Sequence, residues 1–206
     1  RRSASHRRRG GGGDRVKTAI LGGSFDPIHA GHLLVADEVR RHFGYDTVLF
    51  VPVGRAPHKN RPPVASAEHR LAMVQLALAD RPEFACSSYE IEQEGPSYTI
   101  STVRHLLESG TVTGRPGLII GDDLAAGFSD WREADDLERS VDLIIVGRPG
   151  YAGKVRRRHR RLETLLLPIS SSEIRRRVSA GEPWRDLVPT AVWRYIREHS
   201  LYGEHC

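Results

Sequence analysis

Short apolar runs alternate along the chain with stretches whose apolar positions recur every three or four residues. Lys17–Leu21, Thr47–Val53, Leu118–Ile120, Val141–Val146 and Leu165–Leu167 are compact and apolar, the pattern of strands covered on both faces. Phe84–Ile91 alternates and reads as a strand with an extended tail. Between these lie helix-like stretches: Gly31–Phe43, one opening at Ser66, Ser97 to Gly110, Trp131–Leu137, Ser171–Ala180 and Pro189–Glu198. Ser66, three residues before His69, suits an N-cap, and Gly110 suits a helix stop. A β-α alternation of this kind predicts an α/β fold: a doubly wound, mostly parallel sheet with right-handed crossovers and helices on both faces.

In such sheets ligands bind beyond the carboxyl ends of the strands. The segments richest in chemistry fall at those junctions: Gly22 to His32, Gly54 to Lys59, Gly121-Asp122 and Ser170 to Arg175. Gly22-Gly23-Ser24-Phe25 turns from a strand toward a helix, and glycines there leave backbone N–H groups open to an anion. His29 and His32, three apart across Gly31, share one face of the first helical turn, near the positive end of the helix dipole. Imidazole N–H groups on that face can donate to phosphate oxygens. Zinc is the rival ligand, but no third ligand follows at a suitable spacing.

Other candidates have plain structural readings as well. Ser170 with Glu173 fits a capping box, yet the same serines and Arg175 make a second anion site. Asp122 suits either a helix N-cap or a ligand hydroxyl, and Trp131 either the core or a stacking face for a planar ring.

Composition sharpens the picture in one respect. The 206 residues carry a formal charge of +5, which suggests a polyanion partner. Residues 1–13 hold five arginines and no acid; setting them aside leaves 26 basic and 26 acidic residues. The excess therefore belongs to a glycine-backed, disordered basic extension (1–13), and residues 14–206 form one neutral domain. Non-specific contact with nucleic acid is the most this extension implies. The basic run Lys154–Arg161 reads as a solvated loop or short helix face. Two cysteines, no membrane-length apolar run and a polar N-terminus lead us to expect a cytoplasmic protein. The sequence leaves a homo-oligomer open.

These motifs, in this order, resemble the nucleotidylyltransferases with an H-x-G-H motif, and within them the bacterial nicotinate-nucleotide adenylyltransferases. Gly22–Leu33 is similar to G-G-[TS]-F-D-P-x-H-x-G-H-L, Ala56-Pro57-His58-Lys59 to P-P-H-[KR], and Gly95–Thr99 to G-P-S-Y-T. Gly121-Asp122-Asp123, Trp131, Arg148–Tyr151, Ile169–Arg175 and Leu187–Pro189 continue the order, so that the resemblance runs from about Lys17 to Tyr202. Ala56 replaces a proline, and Ser24 and Ser172 stand where threonine is common. Two aspartates after Gly121 leave the G-x-D register open.

The resemblance implies a Rossmann-like fold and transfer of the adenylyl group of ATP to nicotinate mononucleotide. Gly22, Gly23, Ser24, Phe25, His29, His32, Lys59, Gly121, Asp122, Ser171 and Arg175 would bind ATP. Of these, His32, His29, Lys59 and Arg175 would carry the catalysis. Thr99, Trp131 and Arg148 would hold the mononucleotide, and Mg²⁺ would be carried by ATP rather than by protein ligands. We take Asp122 as the nucleotide-facing carboxylate and keep Asp123 open. The alternatives are pantetheine-phosphate adenylyltransferase, another H-x-G-H enzyme, or a polyanion-binding module driven by the arginines.

Overall fold

In a computed structural model the chain is described over residues 16–55, 62–147, 157–163 and 169–203. The elements in order are β1 (Thr18–Gly23), α1 (Ala30–Phe43), β2 (Thr47–Pro52), α2 (Ala67–Leu78) and β3 (Phe84–Cys86). Next come the single turn α3 (Tyr89–Glu92), α4 (Thr99–Glu108), β4 (Gly117–Gly121), the single turn α5 (Asp122–Ala125), α6 (Ala134–Ser140) and β5 (Asp142–Gly147). Strand β6 (Arg160–Glu163) and helices α7 (Ser171–Ser179) and α8 (Thr190–Glu198) complete the set.

Six strands form one sheet in the order β3-β2-β1-β4-β5-β6, and every pairing is parallel. This is the doubly wound α/β order, in which the winding reverses between β1 and β4 and leaves a crevice there.

Strand alternation divides the core between the two faces. Ala19 and Leu21 of β1, Val48 and Phe50 of β2, and Ile144 and Val146 of β5 join one cluster with α1, α2, α7 and α8. Ile20, Leu49, Val51, Leu143 and Ile145 join the other with α4, α5 and α6. Side chains two apart share a sheet face, so a strand buried on both faces must be apolar throughout. That is why these strands read as unbroken runs. Helix ends follow local chemistry: Ser66 Oγ accepts from His69 N, and Gly44 closes α1 in the left-handed region at φ 70°.

Four expectations need correction. Phe84–Ile91 is not one strand: pairing with β2 ends at Cys86, and Tyr89–Glu92 turns helical so that Glu90 points inward. The helix placed at Trp131–Leu137 begins at Ala134, because Trp131 follows a 3-10 turn and Glu133 sits at φ 52°. The basic run is not wholly a solvated loop. Arg160 and Arg161 lie on β6, paired to β5, and Arg157 ties to Asp135 and Glu138 of α6. Finally, the box at Ser170 is half made: Ser170 Oγ accepts from Glu173 N, but the Glu173 carboxylate turns to Arg176 and Arg177. The strand expected at Leu165–Leu167 and the extension at 1–13 lie outside the described residues. Among the described residues no helix is long and apolar enough to cross a membrane.

Candidate active site

The β1–α1 loop is built around its histidines. His29 is the N-cap of α1, and its backbone N–H donates to His32 Nδ1 at 3.2 Å. An Nδ1 that accepts leaves the neutral ring with its proton on Nε2, so that His32 presents an N–H donor. The two rings stack with centroids 3.7 Å apart, and the Phe25 ring meets His32 edge-on at 5.1 Å. A Cβ on Gly31 would come within 3.1 Å of the His29 ring, which explains the glycine between the histidines. Burial lowers the His29 pKa to about 4; burial and the neighbouring His29 hold His32 well below the usual imidazole range. Near pH 7 both rings are neutral, able to donate a hydrogen bond but carrying no charge.

Helix α7 closes against the same loop. Ser171 Oγ donates to Pro27 O at 2.9 Å, and Arg175 Nη1 donates to Asp26 O at 2.6 Å. Arg175 Nη2 donates to Ser172 Oγ at 3.1 Å. The expected second wall is thus beside the first, although the Ser171 hydroxyl is spent on fixing the loop. Asp26 anchors it further. Its carboxylate, buried after Phe25 at φ 47°, accepts from Val64 N, Ala65 N and the Tyr202 hydroxyl.

A cavity of about 240 Å³ opens at the crevice between β1 and β4. Gly22, Gly23 and Ser24 form one side, Thr99 at the start of α4 another, and Trp131 a third, with Ile20, Val51 and Ile120 beneath. Trp131 is half-buried and leans on Phe128 with ring centroids 5.2 Å apart, which leaves a face for stacking.

Asp122 is placed differently from our expectation. Both its oxygens are taken by Arg161 of β6, at 2.7 and 3.1 Å, and neither Asp122 nor Gly121 lines the cavity. The pair sits where Gly147 has no side chain: a Cβ there would lie 1.7 Å from Asp122 Oδ2. Asp123, on the next residue of the turn, is exposed. Lys59 and Arg148, with His58, lie outside the described residues.

Sequence reasoning missed two buried polar residues. Arg70 of α2, only 1% exposed, donates Nη1 to Ser24 O at 2.9 Å and to Val53 O at 2.7 Å, and Nη2 to Gly54 O at 3.4 Å. It therefore clamps the ends of β1 and β2 together beneath the glycine turn. Glu90 accepts from the Thr102 hydroxyl at 2.6 Å on the cavity wall, and burial raises its pKa. An arginine at a core position of the α2 pattern (Arg70, Met73, Val74, Ala77) was the available signal for the first. Nothing local marks Glu90.

Residues 20–177 match the cytidylyltransferase-like family. A protein of Symbiobacterium thermophilum named "Probable nicotinate-nucleotide adenylyltransferase" is 43% identical over 91% of this chain and 95% of its own length. Its namesake in Treponema pallidum is 40% identical over 91% and 99%. The chain belongs to the nicotinate-nucleotide adenylyltransferase family. At 20% identity, the Plasmodium falciparum nicotinic acid mononucleotide adenylyltransferase complexed with NaAD superposes with a TM-score of 0.72, over 90% of this chain and 97% of the other. That likeness establishes the fold.

Proposed function

We propose that the protein transfers the adenylyl group of ATP to nicotinate mononucleotide, releasing pyrophosphate and forming nicotinate adenine dinucleotide in NAD biosynthesis. The observation that carries this reading is that the β1–α1 segment, which holds the N–H-donating His32, also supplies Gly22, Gly23 and Ser24 to an apolar cavity lined by Trp131. The segment suits a polyphosphate and the cavity a planar ring.

The acceptor phosphate is already ionised, so no general base is needed, and the neutral histidines are no obstacle to the chemistry. It attacks the α-phosphorus in line while the bond to the β-phosphate oxygen breaks, and the pyrophosphate leaves. The protein contributes alignment and charge compensation. His32 Nε2–H donates to the α-phosphate, with His29 and Lys59 supporting the outer phosphates. Arg175, held by the Asp26 carbonyl, has N–H groups left to reach the same phosphates. The backbone of Gly22, Gly23 and Ser24 lets the chain of phosphates approach. Among the described residues no cluster of three His, Cys, Asp or Glu is placed to hold a metal. Mg²⁺ carried by ATP would supply charge neutralisation on the leaving phosphates. Asp122 is replaced by Asp123 as the carboxylate proposed to meet the nucleotide.

Thr99 and Trp131 are assigned to the mononucleotide. The test is formation of nicotinate adenine dinucleotide by the purified protein, with Trp131→Ala measured beside it. The reading expects a raised KM for the mononucleotide, about tenfold from lost stacking and burial, with the KM for ATP little changed. An equal rise in both would remove Trp131 from the acceptor pocket.

A further inference from the structure

The cavity has two charged groups on its wall among the described residues, Glu90 and Arg132, and they are not equivalent. Glu90 is buried, receives the Thr102 hydroxyl, and has its carboxyl pushed toward the neutral acid by burial. Arg132 follows Trp131 directly. Its guanidinium lies over the Tyr98 ring, 4.5 Å from the centroid, and both residues line the cavity. Its nearest carboxylate, Glu133, stands 3.7 Å away and gives its other oxygen to Arg104 at 2.6 Å. Stacking on Tyr98 orients a planar cation at the cavity wall, and its ion pair with Glu133 is long and made through Nε.

A carboxylate entering an apolar cavity loses hydration and needs a partner there, whereas a carboxamide of the same shape carries no charge to satisfy. Guanidinium is the side chain whose fork matches a carboxylate. We propose that Arg132 is the specificity-determining residue that selects a carboxylate over a carboxamide on the ring bound against Trp131. The inference rests on the reading of this cavity as the mononucleotide site. It assigns the choice between acid and amide to a side chain, which the motif order left open.

Nicotinate mononucleotide and nicotinamide mononucleotide differ at that one group, so their comparison reads the effect directly. The ratio of kcat/KM for acid over amide is measured for the wild-type protein, Arg132→Gln and Arg132→Lys, with calorimetric binding of each mononucleotide alongside and circular dichroism to check the fold. Arg132 is half exposed, so the charge-assisted contact is worth the lower end of its range. Arg132→Gln is expected to lower the acid-over-amide ratio about tenfold, through KM for the acid, and Arg132→Lys to retain part of it. Turnover with an unchanged ratio in folded Arg132→Gln would overturn the proposal. Binding that favours the acid and loses that preference in Arg132→Gln, with no adenylyl transfer by the wild type, would support Arg132 and overturn the activity instead. Binding by the wild type without preference for the acid would overturn Arg132.

Discussion

His32 carries the most specific claim at the scale of single residues. Its Nδ1 is fixed by the His29 N–H, so the catalytic role proposed for it rests on one oriented Nε2–H. Loss of one such donor costs about 10²–10³ in rate. His32→Ala is therefore expected to lose that much kcat while staying folded, and His32→Gln, which restores an N–H, to recover part; steady-state pyrophosphate release checks both. The histidines also make a pH prediction. Folded His29 binds its proton only near pH 4, whereas in the unfolded chain it titrates near 6.5. Between those values the unfolded state holds more protons, so stability is full above about 6.5 and falls as the pH drops toward 4. Glu173, held down to about 2 by Arg176 and Arg177, keeps its charge throughout this window. Urea midpoints at pH 7 and pH 5 should differ, and the difference should shrink in His29→Gln.

Among the elements, α2 matters beyond its place in the core. A charged arginine is fully buried there because three carbonyls at the ends of two strands need donors. Arg70→Ala leaves those carbonyls unpaired and should cost about 3 kcal/mol or more of stability. It should also raise KM for ATP by loosening Ser24; urea unfolding and kinetics together test this. Gly54 belongs to the same clamp. A Cβ there would lie 1.9 Å from Glu90 O, so Gly54→Ala must move the backbone of α3.

Such placement explains what the sequence disclosed and what it withheld. Unbroken apolar strands and the histidine turn are local patterns, and both were readable. Glu90 was hidden because its meaning depends on Thr102, twelve residues on and one helix away. The pairing of Asp122 was hidden because its partner Arg161 stands on β6, within a basic run that reads as solvated. Charge pairs between distant strands leave no periodic trace.

At the scale of the whole molecule, the reversal between β1 and β4 sets a cavity beside the β1–α1 loop, and separate segments meet around the two. The glycine turn comes from β1, the α7 wall from the far end of the chain, and Thr99 and Trp131 from the opposite face of the sheet. The matched family region, residues 20–177, covers the crevice and excludes the arginines at 1–13. Deleting residues 1–13 is accordingly expected to leave adenylyl transfer unchanged and to remove any salt-sensitive binding to polyanions. A loss of turnover on that deletion would favour the arginine-driven alternative.

Pyrophosphate release from Mg²⁺-ATP, with nicotinate mononucleotide or phosphopantetheine as acceptor, tests the central claim most directly. The account predicts turnover with the first and none with the second. Turnover with phosphopantetheine in preference, or with neither, would contradict it.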